Sequence, residues 1–139
     1  MIVLDTNVIS ELMRREPEPA VLTWLDHHPA DDVFITAVTE AEVRFGLARL
    51  PEGHRKELLT ARFDELVAED FEGQVLVFDS RAATLYADIV VRRDQLGRPI
   101  NMADAQIAAI CRVHNARLVT RNTKAVTDTG VDVIDPWQR

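Results

Sequence analysis

The segment Ile2-Val3-Leu4-Asp5 decides the fold, because it sets an acid directly after a short apolar run. Three apolar residues, two of them β-branched, are too few for a helix and are typical of a strand buried on both faces. Asp5 stands at the end of this strand, where it can also cap a helix beginning near Asn7. The segment therefore predicts a buried strand with an acid at its carboxyl end.

Working outward, further apolar runs have the same character, the last of them more weakly, at residues 33–35, 75–78, 117–120 and 131–134. Segments with apolar residues at helical spacing lie at residues 20–28, 39–50, 55–67, 80–96 and 102–114. Strands that alternate with helices predict right-handed βαβ units and a mostly parallel sheet. Because every break has the length of a turn, residues 1–139 are predicted to form one domain. Its fold class is an α/β/α sandwich with a five-stranded, mostly parallel sheet and helices on both faces.

Composition excludes several classes of protein. The chain has 139 residues and a net charge of −7, from 16 Lys+Arg against 23 Asp+Glu, which disfavours a broad basic face for nucleic acid. No stretch free of these charged residues exceeds seven residues, so no membrane span or signal peptide is expected. The single cysteine, Cys111, excludes an internal disulfide and a multi-cysteine zinc site. A cytoplasmic location is predicted.

Four polar side chains are predicted to meet at one edge of the sheet. Asp5 and Asn122 follow strands, while Glu42 and Asp104 lie near the starts of helices. In a parallel sheet all these positions fall at the carboxyl edge, where open α/β sheets bind ligands. Carboxylate and amide oxygens suit Mg²⁺ or Mn²⁺, and such an ion can assist hydrolysis of a phosphate ester.

A structural interpretation exists for each acid taken alone. Thr39 and Glu42 have the spacing of a capping box, Asn101 and Asp104 have a similar spacing, and Asp5 can cap its own helix. Capping does not explain an acid at a buried strand end. Nor does it explain Asp104 on the same helix face as apolar residues, since an unpaired buried acid is costly. Asp79, which also follows a strand, is explained as a helix cap alone, and Glu11 is expected on a solvated helix face.

Four motifs in this sequence together resemble those of PIN-domain nucleases, and in particular VapC-type toxins of the FitB-like branch. They lie at residues 2–12, 36–47, 101–109 and 118–122, and the likeness extends to residue 137. The resemblance implies an Mg²⁺- or Mn²⁺-dependent endoribonuclease with Asp5, Glu42 and Asp104 as its carboxylate triad. It also implies a homodimer and inhibition by a cognate antitoxin that often binds DNA, so that DNA is a partner only through the antitoxin. Asn122 stands where the family frequently has Asp. Because an amide carries no charge, one well-held metal is expected rather than two.

We expect Asp5 and Asp104 to hold the metal, Glu42 to position or deprotonate the attacking water, and Asn122 to complete the site. Further candidates for contacts with RNA, with an acidic partner or within the site are Thr6, Arg44, Arg98, Thr120, Arg121 and Lys124. Two alternatives remain open. One is a non-catalytic interaction module that docks a basic partner. The other is a phosphatase with Asp5 as nucleophile, although the second acid expected of that class is replaced by Asn7.

Overall fold

The structure, a computed structural model, describes residues 1–138. Its strands are β1 (Ile2–Leu4), β2 (Val33–Thr36), β3 (Val75–Leu76), β4 (Arg117–Val119) and β5 (Val133–Ile134). Its α-helices are α1 (Thr6–Leu12), α2 (Pro19–Asp26), α3 (Ala37–Ala48), α4 (His54–Glu65), α5 (Ser80–Gln95) and α6 (Met102–Val113). Short 3₁₀ turns occupy Ala30–Asp32 and Thr123–Val126, and a π-helical turn occupies Leu66–Asp70.

The five strands form one parallel sheet in the order β3-β2-β1-β4-β5. Strand β1 is central, with Val3 paired to Phe34 on one side and to Leu118 on the other. The chain runs outward from β1 to β3 and then returns to place β4 on the opposite side of β1. The strand order therefore reverses between β1 and β4, which is where a ligand crevice is expected in this architecture. The predicted fold class is confirmed.

Helices cover both faces of the sheet. Because successive side chains of β1 point to opposite faces, both faces carry apolar residues that must be covered. Ile2 and Leu4 belong to a core that includes residues of α1 to α4, whereas Val3 packs with Ile107 and Cys111 of α6 on the other face. All three β1 side chains are fully buried. Burial also raises the pKa of the Cys111 thiol to about 12, so this cysteine stays protonated at neutral pH and serves as a core residue.

The structure corrects some boundaries and one exposure. Strand β3 is two residues long rather than four, and the helix predicted at residues 55–67 becomes a π-helical turn from Leu66 onward. Glu11 is not solvated: it is 6% exposed, and its carboxylate accepts hydrogen bonds from Arg14 Nη1 and from the backbone N–H of Glu18. Helical spacing could not reveal that burial, because the covering loop folds back over α1. Within residues 1–138, no helix is both long and apolar enough to cross a membrane.

Candidate active site

Asp5 is the most buried acid of the site. It is 6% exposed at the junction of β1 and α1, where its Oδ1 accepts a hydrogen bond of 2.8 Å from the backbone N–H of Thr6. Its Oδ2 accepts one of 2.8 Å from Thr120 Oγ1. Burial raises the pKa of Asp5, and the charges of Asp104 and Glu42 raise it further against the opposing effect of these hydrogen bonds. Asp5 is therefore a helix cap, as proposed, and also a member of an acidic group.

Thr120 connects the ends of β1 and β4. While donating to Asp5, its Oγ1 accepts hydrogen bonds from Asn7 Nδ2 at 2.8 Å and from the backbone N–H of Asn122 at 3.2 Å. The Oδ1 of Asn7 accepts from the backbone N–H of Arg121 at 3.1 Å. Sequence reasoning missed Asn7, although its position two residues after a strand-end acid was an available signal. The network fixes the Asp5 carboxylate from across the strand-order reversal.

Glu42 reaches the site from α3. The N-cap of α3 is Thr36, whose Oγ1 accepts from the backbone N–H of Thr39, so Glu42 lies beyond the first turn and the capping-box interpretation is wrong. Instead, Glu42 Oε1 accepts a 2.6 Å hydrogen bond from Thr6 Oγ1. Thr6 thus connects α1 to an exposed carboxylate that plays no part in capping.

Asp104 lies in the first turn of α6 beside its cap. Asn101 Oδ1 accepts from the backbone N–H of Asp104 at 2.8 Å, and Asn101 Nδ2 donates to Asp104 Oδ2 at 2.9 Å. The capping interpretation is therefore confirmed here, and it leaves the second carboxylate oxygen available. Burial raises the pKa of Asp104, and the charge of Glu42 adds to the rise; the Asn101 hydrogen bond and the charge of Arg93 oppose it.

The donor set fits a hard divalent cation. Asp5, Glu42 and Asp104 are close enough for their charges to act on one another, yet across residues 1–138 no three Asp, Glu, His or Cys side chains form a ready-made metal cluster. Neighbouring carboxylates disfavour one another's charged form, so a site of this kind favours either protonation or a bound cation. Mg²⁺ requires only one or two direct carboxylate ligands and retains several waters. These oxygens suit such an ion, with some ligands acting through water.

The basic candidates fall into two groups. Arg44 is engaged with Glu40 and Asp64 at 2.8 Å each, and Arg98 is paired with Asp128 at 2.6 Å. Arg121 stacks on Trp137, with its guanidinium carbon 5.0 Å from the ring centre. Lys124 is exposed in the 3₁₀ turn at Thr123–Val126 and makes no ion pair within the part of the chain that the structure describes. Arg44 and Arg98 thus have structural partners, whereas Arg121 and Lys124 lie close to Asn122 in sequence.

Sequence reasoning missed an arginine-lined groove. This groove, of about 990 Å³, extends from Thr6 and Glu42 between α1, α3 and α4. Its apolar side chains are Met13, Val43, Leu47, Leu50, Leu58 and Leu59, and its arginines are Arg14, Arg15, Arg55 and Arg62. Arg55 and Arg62 come from α4, and Arg14 and Arg15 come from the loop that follows α1. Spacing along the chain could not group these two pairs. The acids of the groove are Glu16 and Glu42. With four arginines against two glutamates, the groove has a positive balance in an overall acidic protein, and it meets the acidic group at Glu42.

Fold and site together define an α/β/α protein with an acidic site at the carboxyl edge of a parallel sheet. Residues 2–128 match the model of the PIN domain, and the chain belongs to the PIN-domain family. It is 42% identical to the VapC ribonuclease Y4jK of Sinorhizobium fredii over 138 residues, covering 99% of each chain. It is 39% identical to the toxin FitB of Neisseria gonorrhoeae over 137 residues, again covering 99% of each. A solved structure of FitAB bound to an IR36 DNA fragment matches with a TM-score of 0.93 at 39% identity, covering 100% of this chain and 97% of that one. The resemblance seen in the motifs is confirmed.

Proposed function

We propose that this chain, acting as one domain, is a divalent-metal-dependent endoribonuclease and the toxin of a toxin–antitoxin pair. The observation that supports this best is the grouping of Asp5, Glu42 and Asp104 at the strand-order reversal, where their charges act on one another. The names of the two curated relatives, a ribonuclease and a toxin, agree with it. We place the activity in the cytoplasm.

In this proposal Asp5 and Asp104 hold Mg²⁺ or Mn²⁺. Such an ion supplies Lewis-acid stabilisation of the charge that develops on a phosphodiester during hydrolysis. Thr6 holds one oxygen of Glu42, and the other can orient the attacking water and accept its proton. Asn122 contributes an amide without charge, so one well-held ion is expected rather than two.

The proposal predicts that cleavage depends on added metal. After removal of metal with EDTA, the protein should cleave RNA at least about 100-fold more slowly than with Mg²⁺ or Mn²⁺ restored, because charge on the phosphate is then uncompensated. Gel analysis of a labelled RNA measures the rates. Cleavage that is insensitive to EDTA would contradict the metal site. Trapping of a phosphorylated Asp5 would favour the phosphatase alternative, and absence of both metal binding and cleavage would favour a docking module.

We further propose that an antitoxin binds the arginine-lined groove and that DNA is contacted only through that partner. The groove combines apolar side chains with four arginines, which suits a segment with apolar and acidic residues. The matching FitAB structure, which is bound to DNA, agrees with a two-protein assembly.

We also propose a homodimer, for which exposed apolar side chains such as Phe45 (64% exposed) supply surface.

Reversing the charge of arginines in the groove should weaken the binding of the antitoxin. In the double variant Arg55→Glu/Arg62→Glu, the affinity for the co-expressed antitoxin should fall by about 10- to 100-fold, mainly through slower association, because the attraction to an acidic segment becomes repulsion. Biolayer interferometry at two salt concentrations measures both rates. Arg92→Glu, an exposed arginine of α5 outside the groove, is the matched control. If the double variant and the control bind the antitoxin with equal affinity, the groove is not its binding site.

A further inference from the structure

Arg93 of α5 is a buried arginine whose hydrogen bonds go to backbone carbonyls. It is 5% exposed, and within residues 1–138 it forms no ion pair. Its Nε donates to the backbone carbonyl of Arg98 at 2.6 Å, and its Nη1 donates to the carbonyls of Ala125 and Thr127 at 2.9 and 3.0 Å. All of these acceptors are neutral. Because a buried charge without a counter-charge is costly, a role in the core alone does not account for an arginine here.

The three carbonyls belong to two segments that flank the site. Arg98 lies in the loop that leads from α5 to Asn101, the cap that holds Asp104. Helix α5 ends at Gln95, and Gly97, with φ of +69°, turns the chain two residues later. The backbone N–H of Arg98 donates back to the carbonyl of Arg93 at 2.9 Å. Residue 93 therefore holds this loop through both its side chain and its own carbonyl.

The other two carbonyls belong to the 3₁₀ turn at Thr123–Val126 and the residue that follows it. Asn122 is the N-cap of this turn, so the turn begins at the site. An exposed ion pair between Arg98 and Asp128 joins the same two segments. Exposed ion pairs contribute little to the free energy of unfolding. The buried guanidinium of Arg93 is therefore the stronger connection between the two segments.

We propose that Arg93 is a positioning residue of the nuclease site, whose guanidinium joins the loop before Asp104 to the turn after Asn122 and thereby sets the spacing of these two side chains. This inference rests on the proposed function. A planar guanidinium with several donors in fixed directions can hold two segments at once, whereas lysine is a single point donor. The charge of Arg93 also acts on Asp104, in the direction that favours the ionised carboxylate.

The test compares Arg93→Met and Arg93→Lys with a matched core variant. In Arg93→Met, the single-turnover rate constant for RNA cleavage at saturating metal should fall about 10- to 100-fold, because small misplacements of site groups cost that much. The KM for RNA should change less than about twofold. Amide hydrogen exchange should accelerate in residues 97–101 and 123–128 together. Compared with Arg93→Met, Arg93→Lys should have a partly restored rate constant and slower amide exchange in one of the two segments.

Ile89→Ala provides the control, since Ile89 is buried on α5 one turn before Arg93. It should lower the melting temperature at least as much as Arg93→Met and leave the rate constant unchanged below that temperature. Equal rate constants for Arg93→Met and Ile89→Ala would overturn the inference. Faster amide exchange in only one of the two segments of Arg93→Met would overturn it as well. If the wild-type protein cleaves no RNA, the proposed function is wrong, but the inference on Arg93 can still be tested. Arg93 is then judged by the exchange pattern and by Mn²⁺ calorimetry, in which Arg93→Met should bind about tenfold more weakly and Ile89→Ala should not.

Discussion

Replacing Asp104 by asparagine should lower RNA cleavage about 1,000-fold and at the same time stabilise the metal-free protein. The loss of rate corresponds to ~4 kcal/mol of transition-state stabilisation, which is the scale expected when a metal loses a charged ligand. Asparagine retains the shape of the side chain and an oxygen that can accept the hydrogen bond from Asn101 Nδ2. The variant therefore removes the charge with little change in local structure.

The stabilisation follows from the raised pKa of Asp104. Burial and the charge of Glu42 raise it above the usual value of 3.8, so the folded state disfavours the ionised carboxylate. A group of this kind lowers stability as the pH rises through its folded pKa. In EDTA, the variant and the wild type should have similar melting temperatures below about pH 4, and the variant should melt about 1–3 °C higher at pH 7.5.

Calorimetric melting with EDTA and with Mn²⁺ separates loss of chemistry from loss of structure. Mn²⁺ should raise the melting temperature of the wild type and leave that of Asp104→Asn nearly unchanged. Asp79→Asn is the matched control, because Asp79 is likewise an acid at the start of a helix, where it caps α5 by accepting a hydrogen bond from the backbone N–H of Ala82. It should retain both cleavage and the response to Mn²⁺. Undiminished cleavage by Asp104→Asn would exclude Asp104 as a ligand.

Those parts of the fold and site that depend on local pattern could be predicted from sequence. The apolar run at residues 2–4 appears as the central strand with all three side chains buried. Parallel topology then requires Asp5 and Asp104 to lie at one edge, because strand ends and helix starts share that edge. The pairing of Asp104 with its cap is also local and was predictable from a spacing of three residues.

Contacts between residues distant in sequence could not be predicted. Arg44 is a candidate for binding RNA by composition, but in the fold it pairs with Asp64, 20 residues away. Thr36 rather than Thr39 caps α3, because the turn after β2 decides where the helix begins. Arg93 shows the same limit, since the carbonyls of residues 125 and 127 that it binds are brought close only by tertiary packing.

Thr120→Val should lower cleavage about 100-fold and destabilise the protein by about 1–3 kcal/mol, which is the cost of leaving buried polar groups without partners. Valine has nearly the shape of threonine but lacks the hydroxyl. It would remove the donor to Asp5 Oδ2 and the acceptor for Asn7 Nδ2 and for the Asn122 backbone N–H. Urea denaturation measures the stability and single-turnover cleavage measures the rate.

Thr120→Ser separates the hydroxyl from the methyl group of the side chain. Serine retains the three hydrogen bonds and loses a methyl group from a fully buried position, so it should lose about 1 kcal/mol of stability and keep its cleavage rate within about threefold. If serine and valine reduce the rate equally, packing rather than hydrogen bonding orients Asp5. If only valine does so, the hydroxyl at the end of β4 directs the carboxylate at the end of β1, and the strand-order reversal brings those two ends together.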